Sequence, residues 1–98
     1  LLSACLQGDL EEVRSALRKS ANINCVDVNK RTPLLLAVME NHEKIVQLLL
    51  NNKPDVNAQN IVGRTALSIT VQEGYGRLVE LLLGSNADAS LADTTGWT

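Results

Sequence analysis

Ninety-eight residues suit one small domain, and 45% apolar content is enough to give it a core. With no Phe, one Tyr and one Trp, that core must be aliphatic. A net charge of −2 offers no basic field for a phosphate backbone, and two aromatics make no stacking platform for single strands. No apolar run approaches the roughly 18 residues of a membrane span. One histidine and two cysteines without a CxxC pair leave nothing to build a zinc site. No nucleophile stands beside a base, and no glycine loop suits a phosphate. Metal, cofactor and catalysis are therefore not expected.

In chain order, Leu1-Leu2-Ser3-Ala4 begins a helix that breaks at Gly8-Asp9. The helix after it carries Glu11, Glu12, Arg14, Ser15, Arg18 and Lys19. Such a polar outer face is what the end unit of a stacked array needs. Arg31-Thr32-Pro33 opens the next helix, because Thr caps well and Pro suits the first helical position. Leu34, Ala37 and Val38 give it an apolar stripe at i, i+3 and i+4. Asn41-His42 ends it, and Glu43 to Leu50 forms another. There Ile45, Val46, Leu48 and Leu49 should face inward, with Glu43, Lys44 and Gln47 wet. Asn52 to Arg64 is polar and reads as an extended turn. Thr65-Ala66-Leu67 starts a helix that breaks at Gly74-Tyr75, and Leu78, Val79, Leu81, Leu82 and Leu83 make an apolar one. The two helices of the middle stretch, from Pro33 and from Glu43, are expected to be about eight to ten residues long, too short to persist without packing.

The chain lies on itself when shifted by 33 positions. Asn24-Cys25-Val26-Asp27 falls on Asn57-Ala58-Gln59-Asn60, and Gly63-Arg64-Thr65 falls on Gly96-Trp97-Thr98. Val13, Val46 and Val79 recur, as do Leu17, Leu50 and Leu83. A unit of this size cannot bury its own apolar face, so neighbours must stack into a solenoid. Copies are expected at about 1–25, 26–58 and 59–91, with residues 92–98 starting a fourth. Leu1 is not a start methionine, so a segment of a longer protein is expected, with further repeats after Thr98.

The run Arg31-Thr32-Pro33-Leu34, with Ala37, His42, Ile45-Val46, Leu48-Leu49-Leu50 and Asp55-Val56-Asn57-Ala58, resembles the ankyrin repeat. The resemblance implies an all-α solenoid of antiparallel helix pairs joined by β-hairpin-like turns, over residues 1–98. It also implies an N-terminal cap in copy one. Departures are visible. Where the family has Thr-Pro-Leu-His, this chain has Thr32-Pro33-Leu34-Leu35 and Thr65-Ala66-Leu67-Ser68. The glycine that ends the second helix becomes Ser20, Lys53 and Asn86. The hairpin glycine kept at Gly63 and Gly96 is Lys30 in copy two, where a strained turn is expected.

The resemblance places recognition on a concave face made by hairpin tips and first helices. Its variable positions align here with Leu6, Gln7, Val28, Asn29, Arg31, Met39 and Glu40, with Gln59, Ile61, Val62, Arg64, Gln72 and Glu73, and with Thr94, Thr95 and Trp97. Turn tips are normally polar. Val28, Ile61, Val62 and Trp97 there suggest an apolar strip for a partner, flanked by Arg31 and Arg64. For Val28 and Ile61, folding down against the neighbouring hairpin is an equal alternative. Exposure is favoured for Val62 and Met39.

The function expected is a non-catalytic protein–protein interaction module within a larger scaffold or regulator. The alternative is a regulatory or substrate-recruiting segment of a multidomain enzyme such as a kinase or ubiquitin ligase. His42 aligns with Asp9 and Tyr75, so loop packing suits it better than chemistry. Asp55 and Asp88 suit hydrogen-bond acceptance in loops. Cys5 and Cys25 stand at small or apolar positions, so packing is favoured over a disulfide. Two such cysteines fit a reducing compartment, cytoplasmic or nuclear, and a monomeric segment. The run Asp55-Val56-Asn57 after Leu49 resembles a site of asparaginyl hydroxylation in ankyrin repeats, which makes Asn57 a candidate for that modification.

Overall fold

The computed structural model describes residues 1–19 and 22–85. Six helices follow one another in three pairs: α1 (Leu2–Gln7), α2 (Leu10–Arg18), α3 (Pro33–Met39), α4 (Glu43–Asn51), α5 (Ala66–Glu73) and α6 (Gly76–Gly84). The first helices stack as α1, α3, α5 and the second as α2, α4, α6, while the members of each pair also touch. This is the all-α layered array that the shift of 33 residues demands. Residues 86–98 lie outside the description, and with them Asn86, Asp88 and the expected start of a fourth copy.

α3 shows how local chemistry sets the register. Thr32 caps it, its Oγ1 accepting from the Leu35 N–H at 3.2 Å, and Pro33 occupies the first turn. Every residue from Pro33 to Val38 is buried, because α1, α4 and α5 surround this helix. Thr65 and Ser68 cap α5 reciprocally: each backbone N–H donates to the other's side-chain oxygen. Ser68 thus serves the helix start at a position where Leu35 serves the core.

Each first helix ends alike. Gly8, Asn41 and Gly74 take left-handed backbone at φ 80, 56 and 74°. The next N–H then reaches back five residues, from Asp9 to Ala4 O, from His42 to Ala37 O and from Tyr75 to Thr70 O, at 2.9–3.0 Å. This Schellman-type closure satisfies carbonyls that would otherwise be orphaned. It also stops α1 at six residues and α3 at seven, the latter just short of the expected length. At Gly8 there is a second constraint, since a Cβ would come within 2.7 Å of the His42 ring.

The core is aliphatic, built on Val13, Leu34, Leu35, Val38, Ile45, Val46, Leu49, Leu67, Leu78 and Leu82, with Cys5 among them. One expected inward residue differs. Leu48 is only half-buried and borders a groove with Leu10, Arg14, Lys44, Gln47 and Asn51. Leu48 packs on the core with part of its surface and leaves the rest to this mostly polar groove.

The end of α4 is strained as its sequence suggests: Lys53 adopts φ 54°. A left-handed residue with a Cβ costs about 1 kcal/mol or somewhat more. Lys53→Gly should therefore raise stability by a fraction of that, after the flexibility glycine adds to the unfolded chain. Thermal unfolding would show a small rise in Tm. A fall would mean that the Lys53 side chain contributes packing that outweighs its backbone.

Candidate functional site

Two hairpin tips project from the array, and one residue organises each. In copy two, Asp27 Oδ1 accepts from the N–H groups of Asn29 and Arg31, both at 2.9 Å. The Lys30 N–H donates to Asp27 O at 3.0 Å, and the Asp27 N–H closes the loop onto Arg31 O at 3.2 Å. In copy three Asn60 does the same. Its Oδ1 accepts from Val62 and Arg64 at 3.0 Å, Gly63 donates to Asn60 O, and the Asn60 N–H reaches Arg64 O. The fourth residue of each turn is left-handed, Lys30 at φ 59° and Gly63 at φ 87°. Asn29 and Val62 keep negative φ, so both tips are type I turns followed by a left-handed residue. Lys30 confirms the strained turn expected in copy two.

The tips are joined to each other: the Ile61 N–H donates to Asn29 O at 2.9 Å. Behind them a second row of turns repeats. Asn22 Oδ1 accepts from the Asn24 N–H and Asp55 Oδ1 from the Asn57 N–H, at 3.0 and 3.1 Å. Asn24 Oδ1 in turn accepts from the Asp55 N–H at 2.9 Å and ties copy one to copy two. Asp55 is thus a loop acceptor, as expected. The organising roles of Asp27, Asn60 and Asn24 were not read from the sequence. The recurrence of an Asx residue at 27 and 60, and of Asn at 24 and 57, was the available sign.

Pinned this way, the second and third residues of each tip have nowhere to fold. Val28 is 90% exposed, Val62 71% and Ile61 62%, which decides the open alternative for Val28 and Ile61. Met39, at 37%, is exposed at the end of α3. Leu6, Met39 and Gln72 occupy the same position on successive first helices, as do Gln7, Glu40 and Glu73, and all six are exposed. Gln59 and Asn29 are exposed as well. A cleft of about 360 Å³ gathers Met39, Val62, Arg64 and Glu73 with Asn60 and Ile69, of which the last two were not anticipated. Thr94, Thr95 and Trp97 lie outside the described residues.

The two arginines part company. Asp27 carries a carboxylate, and its Oδ2 accepts from Arg31 Nε at 2.7 Å, so the Arg31 charge is drawn into its own turn. Arg31 is thus one half of an ion pair within its own turn. Asn60 has no charge to offer, and Arg64 instead donates to the Gln72 side-chain oxygen beside the cleft. Arg64 therefore pairs with a neutral side chain at the rim. The backbone hydrogen bond from Arg31, with the further bonds from Arg31 and Asn29, holds the Asp27 carboxyl below its ordinary range despite partial desolvation.

A family model for ankyrin repeats matches residues 1–93 in three copies. The chain belongs to the ankyrin repeat family. No individually curated protein matches the sequence. Ankyrin repeats generally mediate protein–protein interaction, and the exposed apolar tips are consistent with that use. In this ankyrin array Leu35 and Ser68 stand where the family pattern has His, one absorbed into the core and the other into a helix cap.

His42 is a packing residue here, with Nε2 3.4 Å from Leu6 O and its ring against Gly8. It borders a second groove of about 410 Å³ with Leu10, Glu43, Lys44 and Ile45. Both cysteines are free thiols. Burial pushes the Cys5 thiol up to about 11, so it stays neutral and unreactive at neutral pH. Among the described residues, no three His, Cys, Asp or Glu side chains gather as metal ligands, and no helix is long and apolar enough to cross a membrane.

Proposed function

We propose that these ankyrin repeats are a non-catalytic docking module that holds a partner protein on the ledge formed by hairpin tips and first helices. The observation that carries this reading is Val28, Ile61 and Val62 held outward by the Asp27 and Asn60 turns, with Val62 lining the Met39 cleft. Exposed aliphatic side chains on rigid turns lose little entropy on binding, so they serve well as anchors. Arg64 and Glu73 at the cleft rim give the partner polar neighbours to pair with. The module acts as a monomer within an intracellular scaffold or regulator and does not bind nucleic acid.

Replacing Met39 and Val62 together by Glu tests the reading. Both side chains are exposed, so the melting temperature should move by only a few degrees. Proteins captured by the wild-type chain should be lost, with affinity reduced at least about tenfold for any partner identified. Undiminished capture by the folded double variant would place docking elsewhere.

Asn57, in its turn with Asp55, is proposed as a hydroxylation site. Mass spectrometry of the chain from animal cells should show a one-oxygen increase on the peptide containing Asn57. A fully unmodified peptide from cells that contain the hydroxylase would remove the proposal.

A further inference from the structure

The seam between α2 and α4 carries a charge of the opposite sign to that of the whole chain. A groove of about 350 Å³ runs along it, lined by Leu10 and Arg14 from α2 and by Lys44, Gln47, Leu48 and Asn51 from α4. Spacings of three and four put these residues on one face of each helix. Two leucines, two amides and two cations line the groove without a carboxylate, although the protein bears a net charge of −2. The groove of about 410 Å³ beside His42 shares Leu10 and Lys44 with it, so the two form one trough. Glu11 and Glu12 of α2 line neither part.

The repeat shows where an acid would have stood. On the shift of 33 residues, Lys44 falls on Arg77 and Leu10 falls on Glu43. Between α4 and α6, Arg77 Nε lies 3.3 Å from Glu43 Oε1, so that cation is paired across its seam. Between α2 and α4 a leucine takes the acid's place. Glu43 also borders the His42 end of the trough, but its carboxylate is the one that meets Arg77. Among the described residues neither Arg14 nor Lys44 has an ion-pair partner.

We propose that this trough docks an acidic amphipathic helix of a partner protein. The partner's apolar stripe rests on Leu10 and Leu48, while carboxylates on its two flanks meet Arg14 on one wall and Lys44 on the other. The nine residues of α4 span about 14 Å, a length that two to three turns of a partner helix would fill. An amphipathic helix in a groove is a common mode of recognition, and the two cations select against basic helices. Second-row helices and the loops before them line the trough, so it lies apart from the ledge and does not rest on that reading.

The probe is a lactam-bridged peptide of about 14 residues, with leucines along one stripe and glutamates on both flanks. A twin carries glutamine for every glutamate. Titrated into the full chain, the acidic peptide should saturate and shift the amide signals of α2 and α4, leaving those of the hairpin tips in place. The glutamine twin should bind at least about tenfold more weakly. Arg14→Glu with Lys44→Glu should lose the same factor for the acidic peptide, and both side chains are exposed, so the fold should stand. Arg14→Lys with Lys44→Arg, and M39E/V62E, should bind it about as wild type does. No saturation at about 1 mM peptide, a twin that binds equally or undiminished binding by R14E/K44E would overturn the proposal. So would tighter binding of phosphatidylserine vesicles through the same two cations, which would make a lipid surface the occupant. Self-association lost in R14E/K44E would make it a second copy of this chain.

Discussion

Leu49→Ala should cost about 2–5 kcal/mol and leave much of the chain unfolded near body temperature. Leu49 is completely buried in α4, the middle helix of the second row, which packs on α2, α3 and α6. Truncation there removes apolar burial and leaves a cavity that three neighbouring helices border. Helices of nine residues have little stability of their own to offset the loss. For a domain of this size each kcal/mol shifts Tm by roughly 4–8 °C, so thermal unfolding followed by circular dichroism should show a fall of about 10 °C or more. Leu48→Ala, one position on, should cost clearly less, because Leu48 faces a groove and is only half-buried. Equal effects at the two positions would mean that α4 is rotated from the orientation described.

Asp27→Ala should loosen the first hairpin while the helices stay formed. The change removes one oxygen that serves two backbone N–H groups and another that holds Arg31. Amide exchange at Asn29 and Arg31 should rise by roughly an order of magnitude, the factor expected when a hydrogen bond of ordinary strength is withdrawn. Asp27→Asn should retain most of the protection, since Asn60 organises the equivalent tip with an amide oxygen. That variant frees Arg31 to behave as Arg64 does. Acidity makes the same distinction. The Asp27 carboxyl is held below 3.8 in the folded state, so its stabilisation is complete above that value and is lost as pH falls below it. The wild-type tip should loosen as pH falls below that value, and the Asp27→Asn tip should show no such step. Identical acid behaviour of the two chains would show that the carboxylate does not organise the turn.

Much of the architecture was legible because it repeats. A shift of 33 residues, Thr-Pro before an apolar stripe and breaks at Gly8, Asn41 and Gly74 depend only on local chemistry, and each appears where the pattern put it. The same holds for the left-handed strain at Lys30 and Lys53, since backbone geometry there is fixed by the turn and not by distant neighbours. What was not legible depends on the neighbour. Leu48 carries an inward pattern, but part of its surface borders a groove shared with Arg14, Lys44, Gln47 and Asn51. Arg31 and Arg64 are equivalent in the repeat and differ in fate because Asp27 is charged and Asn60 is not. Val28 and Ile61 could have folded down had their turns been slack. Their exposure follows from side-chain oxygens two and four residues away from the backbone groups they hold.

Native-state hydrogen exchange at neutral pH, read residue by residue, measures the coupling of tips and helices most directly. If stacked helix pairs carry rigid tips joined edge to edge, the Ile61, Val62 and Arg64 amides should be protected together with those of α3 and α5. Tip amides exchanging as fast as an unstructured peptide, under helices that remain protected, would contradict a rigid ledge built for docking.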